Sequence, residues 1–160
     1  MTWHNPTQTN PRPREAVEWA SSHLASQAEV QTLLAATDTA EAEELVFAHR
    51  QEVGPEGVPE RFLVVRERVD AGGRPQRFTG TTSVPMQVMA ECTETLPNKD
   101  QWHDDMHSRI FEALVGSVPD VDTGEPANEI RRAQAPGRPM YDSDSLTYFS
   151  TATYRFTLQP

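Results

Sequence analysis

The chain of 160 residues has a single cysteine, Cys92. That excludes an intrachain disulfide and any zinc site built on cysteine pairs. No apolar run approaches the ~20 residues a membrane-spanning helix needs. The opening stretch, MTWHNPTQTNPRPRE, has no apolar h-region, so no signal peptide is expected there. Positive charge is scarce: 14 Lys and Arg stand against 24 Asp and Glu, a formal net charge of -10. Free binding to nucleic-acid backbones or to anionic membrane surfaces needs a basic face, and this balance opposes both. Apolar residues are few at 36%, while prolines number 13. This is the profile of one domain with a modest core and long irregular loops, suited to cytoplasmic or intracellular assembly. Signatures of catalysis are missing too: there is no G-x-S-x-G, no Walker loop and no G-x-G-x-x-G.

What is present is organised around residues 84–116, VPMQVMAECTETLPNKDQWHDDMHSRIFEALVG. Val84, Met86, Val88, Ala90 and Cys92 alternate with a more polar set, the period of a half-buried strand. After Leu96-Pro97-Asn98 the period changes. Trp102, Met106, Ile110 and Ala113, flanked by Phe111 and Leu114, recur at helical spacing. Asp100 is the expected N-cap, Asp104 and Asp105 suit the positive end of the helix dipole, and Gly116 is the expected stop.

On either side of this unit the chain reads as follows. Residues 1–13, rich in Pro, Asn and Thr, form an extended arm. From Arg14 a helix places Val17, Ala20, Leu24 and Ala28 on one face. Ser26 and Glu29 have capping-box spacing for a second helix running to Ala36, which buries Val30, Leu33 and Leu34. Asp38 and Glu41 repeat that spacing as a single turn. Residues 44–50 and 61–69 are strands, the second with Leu63, Val65 and Val69 facing one way. Residues 70–83 form a long connection outside the core, and 117–128 an acidic loop. Residues 129–135 are a weak strand, 136–144 a loop, and 146–158 a closing strand. In that strand Leu146, Tyr148, Ala152, Tyr154, Phe156 and Leu158 share a face, with Phe149 as the exception. The order predicts an α+β domain: a mixed or antiparallel sheet, helices packed on one face, long loops and an extended N-terminal arm.

The sharpest local chemical pattern is His103-Asp-Asp-Met-His107. Two histidines at i and i+4 on a helix can share a metal, and an acid after the first resembles the zincin arrangement. Here the acid is Asp104, one methylene shorter than the usual general base, and no third ligand is evident. His4, His23 and His49 are scattered. Cys92 alternates into an apolar face and reads as a buried, inert thiol. No catalytic, cofactor or metal residues are expected. Arg74, Arg77, Phe78, Arg131 and Arg132 are the candidate contacts for neighbouring subunits or partners on an otherwise acidic chain. A compact domain with an arm and long loops is commoner among assembly subunits than among enzymes, because such segments order on a neighbour.

The elements RFLVVRERV, a long loop, the strand-to-helix unit above and the closing TYFSTATYRFTL together resemble the tail terminator (tail-completion, minor tail) proteins of long-tailed bacteriophages. The likeness spans residues 14–158 and is a pattern of elements rather than an invariant motif. It implies a small α+β fold with helices on one side of the sheet. It further implies a structural virion protein, not an enzyme and without cofactor, assembled in the host cytoplasm. Such a protein forms a ring, commonly a hexamer, that caps the tail tube and joins it to the head. Its partners would be itself, the tail tube protein and head-completion or neck proteins, with genome DNA passing through the lumen without specific binding and no membrane contact. A second likeness is to head-closure or adaptor proteins. The alternative of another class is a metal-dependent hydrolase using His103 and His107.

Overall fold

A computed structural model describes residues 13–48, 58–67, 76–78, 81–115 and 129–158. In chain order these form α1 (Pro13–Ala25), α2 (Ala28–Leu33), α3 (Thr39–Glu43), β1 (Val46–Ala48), β2 (Arg61–Glu67), β3 (Gln76–Phe78), β4 (Thr81–Thr93), α4 (Lys99–Leu114), β5 (Glu129–Gln134), β6 (Met140–Asp142) and β7 (Thr147–Leu158). The fold is α+β. Its sheet runs β1-β2-β4-β7-β5, with β3 also on β4 and β6 also on β7. β1 pairs with β2 in parallel and every other pairing is antiparallel, so the sheet is mixed.

The spine is β4 against β7, paired from Thr82–Leu158 to Thr93–Thr147. β7 occupies one whole side of β4, so β2 and β3 share the other. β2 covers Cys92 to Met86 and β3 covers Ser83 to Thr81. The gap between them falls at Val84 and Pro85. Proline has no N–H for a ladder and is normally excluded from central strands. Here it sits in a central strand at the point where, among the described residues, one flank has no partner. β5 and β6 likewise share the outer side of β7, separated by residues 135–139.

Strand alternation and register define the helix-bearing face. Leu63 and Val65 lie beside Ala90 and Val88, and these beside Ser150 and Ala152. Met86 and Val84 continue the layer to Tyr154 and Phe156, and Phe156 to Ile130. α4 seats Trp102, Met106, Ile110 and Leu114 on this layer, and α1 adds Val17, Ala20 and Leu24, all buried. Trp19 of α1 meets Phe156 edge-on at 6.0 Å, which places α1 on the same face. His23 Nε2 and the Ala113 carbonyl, 2.9 Å apart, join α1 to α4, while Trp102 Nε1 donates to the Leu33 carbonyl at 2.8 Å and joins α4 to α2.

Leu63, Val65, Val84, Met86, Val88, Tyr154 and Phe156 of the sheet and Trp102, Met106, Ile110 and Leu114 of α4 are buried as the two periodicities predict, Tyr148 and Phe111 are half-buried, and Leu158 lies outside the residues whose burial is described. Several local expectations are corrected. The N-cap of α4 is Asn98, in the left-handed region at φ 54°, which Asn tolerates better than most residues; Asp100 lies in the first turn. The helix ends at Leu114, with Val115 as C-cap. Ser26 does not cap α2: its hydroxyl donates back to the His23 carbonyl, Gln27 is the N-cap, and Ala28 is exposed. α2 stops at Leu33 because Ala35 turns left-handed (φ 58°) and the Ala36 N–H closes onto the Gln31 carbonyl. The Asp38–Glu41 spacing does cap a helix: the Glu41 N–H donates to Asp38, and the Glu41 carboxylate accepts from Thr37. The 70–83 connection contains β3 and the start of β4, and the 136–144 loop contains β6. In both places pairing with a long neighbour makes a strand of a segment with no apolar period. Leu146, assigned to the apolar face, is exposed in a left-handed turn position (φ 58°). The second face of β2 is also drier than its alternation implies: Phe62 and Val64 are buried, and Phe62 meets Phe47 edge-on at 5.7 Å. The extended arm, apart from Pro13 at the start of α1, Val69, Gly116 and the 117–128 loop lie outside the described residues.

Ile110 is 0% exposed, so Ile110→Ala should cost about 2–5 kcal/mol. A urea titration reads this as a lower midpoint with an unchanged slope; an unchanged midpoint would remove α4 from the core.

Candidate functional site

Helical spacing puts His103 and His107 on the same side of α4, the side that faces the sheet. Both are buried, whereas Asp104 and Asp105 point to solvent. Beneath them stand Ser150 of β7 and Cys92 of β4. His103 Nε2 lies 3.4 Å from Cys92 Sγ, and His103 Nδ1 lies 2.5 Å from Ser150 Oγ. His107 Nε2 lies 2.8 Å from the same Oγ. One hydroxyl therefore bridges two imidazoles, and a thiol closes one end.

The four side chains are at most 3% exposed. Burial pushes the pKa of both histidines down to about 4, with the neighbouring His103 adding to the effect on His107, and pushes the Cys92 thiol up to about 11. At neutral pH both rings and the thiol are uncharged. A serine has one proton to give, and where it gives that proton to one of the rings the three contacts run in one direction. If Cys92 donates first, His107 Nδ1 carries an N–H with no acceptor. If His107 donates to Ser150, Ser150 to His103 and His103 to Cys92, Nδ1 is a bare lone pair instead. Nδ1 is buried without a hydrogen-bond partner. A lone pair is the cheaper group to leave unpaired, which favours the second direction. The arrangement is thus a sealed polar clamp between α4 and the β4–β7 ladder. Its sequence signal was a lone serine in the apolar alternation of β7, between Tyr148 and Ala152.

Among the described residues no group of three or more His, Cys, Asp or Glu is placed to hold a metal. His4 and His49 lie outside the described residues; His23 stacks on Trp19 at 4.7 Å. A shallow cleft of about 230 Å³ opens between α2 and α4, lined by Gln27, Glu29, Val30, Arg109, Glu112 and Ala113. Arg109 spans it, 3.2 Å from Glu29 and 3.0 Å from Glu112. These are exposed ion pairs of small energetic weight.

The proposed contact residues do not form one cluster. Arg74 lies outside the described residues. Arg77 and Phe78 are on β3, opposite Thr82 and Thr81. Arg131 and Arg132 are exposed on β5, at the edge of the sheet. Arg132 is stacked over the Phe111 ring at 4.5 Å, a cation–π contact on the helix face. Arg131 stands on the opposite face, in register with Arg155. The same edge carries a feature that periodicity did not indicate. Among the described residues the exposed large apolar side chains are Met140, Tyr141 and Leu146, all on the β6–β7 hairpin.

No protein-family model matches the chain, and no curated protein matches it. No described helix is long and apolar enough to cross a membrane.

Two predictions follow from the clamp. The histidine pKa values lie below that of an exposed imidazole, so the unfolded chain takes up protons first as pH falls. Stability is therefore complete above pH ~6.5 and declines as pH falls toward about 4. Denaturant midpoints at stepped pH read this, and a flat profile would contradict it. Ser150→Ala should cost about 1–3 kcal/mol by orphaning two buried ring nitrogens. It should also shift the 1H–15N resonances of both rings, which loss of packing at a distant site would not do.

Proposed function

We propose that the protein is a structural subunit of a long-tailed phage virion: a tail terminator that forms a ring on the end of the tail tube and joins it to the head. The observation that carries this reading is the β4–α4–β7 unit. A long strand feeds an amphipathic helix that lies back on a mixed sheet, and a closing aromatic strand pairs along the whole of the first. This is the element pattern on which the resemblance rests, and the one-sided layering is the fold it implies.

The chemistry of the chain is compatible with a structural role. The histidine pair, its strongest enzymatic feature, is engaged in an internal clamp that substrate cannot reach without unfolding α4. On this reading the partners are further copies of the chain, commonly six in such rings, the tail tube protein and the neck proteins. The protein resides in the virion after assembly in the host cytoplasm. The acidic balance suits a channel through which DNA must slide: a duplex carries one negative charge per about 1.7 Å of axis, and a cationic wall would grip it. A head-closure or adaptor subunit is the second reading, since small folds with extended segments serve there as well.

The deciding experiment is immunogold electron microscopy of virions, or of tails from a lysate lacking the protein. Label at the head-proximal end of the tail, and tails of uncontrolled length without the protein, are expected; label on the head vertex alone would favour the adaptor reading. For the channel, titration of labelled duplex with assembled protein at low salt should give no binding. Tight, salt-sensitive binding would instead mark the arginines of β3 and β5 as a DNA contact.

A further inference from the structure

We propose that the two opposite edges of the sheet are complementary halves of one head-to-tail contact between copies of this chain. This rests on the ring reading and specifies its interface. The sheet ends in β1 on one side and in β5 and β6 on the other. Edge strands present unpaired backbone groups and are natural joining surfaces. The two edges differ in charge. From Asp38 to Ala48, through α3 and β1, there are four carboxylates and no cation. From Ile130 to Tyr141, through β5 and into β6, there are three arginines and no carboxylate. Carboxylates stand only at the two ends of this edge, Glu129 at the start of β5 and Asp142 at the end of β6, so three arginines against two acids face a chain of net charge -10.

The arginine-bearing and acidic segments come from the same end of the sheet, Arg138 and Met140 lying just short of the level at which Asp142 stands. Tyr141 lines up through Tyr148 and Cys92 with Arg61, two residues before Leu63, which pairs with Val46. The β6 hairpin and the α3–β1 junction thus sit at the same end of the sheet. A copy rotated about an axis along the strands brings Arg138 and Met140 of one subunit toward Glu43 and Glu44 of the next. A contact between unlike edges is heterologous, and when its rotation closes it produces a ring rather than a two-fold dimer. The exposed apolar side chains of the hairpin supply what charge alone cannot. Leu146 is 58% exposed and held at φ 58°, a backbone conformation unfavourable for leucine.

The test is sedimentation velocity on three full-length variants. The first carries Arg131→Glu and Arg138→Glu, leaving Arg132 in its stack on Phe111. The second carries Glu43→Arg and Glu44→Arg. The third carries all four changes. Each single-edge variant should self-associate at least tenfold more weakly than the parent. An equimolar mixture of the two, and the four-fold variant alone, should recover association, because every contact again joins opposite charges. Circular dichroism checks folding, and recovery in the four-fold variant excludes a folding defect as the cause. Undiminished association of both single-edge variants, or no recovery in the mixture, overturns the edge assignment while leaving the tail-ring reading to stand on the microscopy. A parent chain that is monomeric up to its solubility limit also overturns it.

Discussion

The ladder between β4 and β7 is the constraint on which the rest of this domain depends. It is the longest pairing in the sheet, and both strands are flanked on their outer sides. Its inner face supplies Met86, Val88, Ala152, Tyr154 and Phe156 as one apolar floor, and α4 can bury its stripe nowhere else. A slip of one residue would turn that floor to solvent and bring Thr and Gln under the helix. The clamp of His103, His107, Ser150 and Cys92 ties helix and ladder to a single register, because only one alignment puts the serine hydroxyl between both rings. Apolar packing supplies the bulk of the stabilisation, and the clamp adds directional selectivity at the cost of four desolvated polar groups.

Legibility in the sequence followed the strength of periodicity. β4, α4 and β7 were readable because alternation and helical spacing each persist for more than ten residues. β3 and β6, three residues each, were not: nothing in QRF or MYD distinguishes a strand from a loop until a long neighbour offers it hydrogen bonds. The α4 cap was misplaced because Asp100 is a strong capping type, whereas the chain enters the helix through a left-handed Asn98, a backbone choice that residue type only weakly signals. The histidines were visible as a pair but not as a clamp, since the serine that bridges them lies 43 to 47 residues away.

The two surfaces of the domain differ in kind. The helix face is closed around an uncharged polar network. Among the described residues the β6–β7 hairpin at one edge carries the exposed large apolar side chains Met140, Tyr141 and Leu146. The polar network is thus kept inside, and the exposed apolar side chains lie at the rim.

The proline in β4 has a consequence for how this fold can vary. At Pro85 the flanking line of strands is broken between β2 and β3, while the β4–β7 ladder continues uninterrupted on the other side. Chain inserted or removed between β2 and β3 therefore alters neither the register beneath α4 nor the clamp, and loop closure grows only slowly in cost with length. That junction is an expansion joint. A change of length between Glu67 and Gln76 would be taken up on that flank, while the thread of the β4–β7 ladder keeps its register.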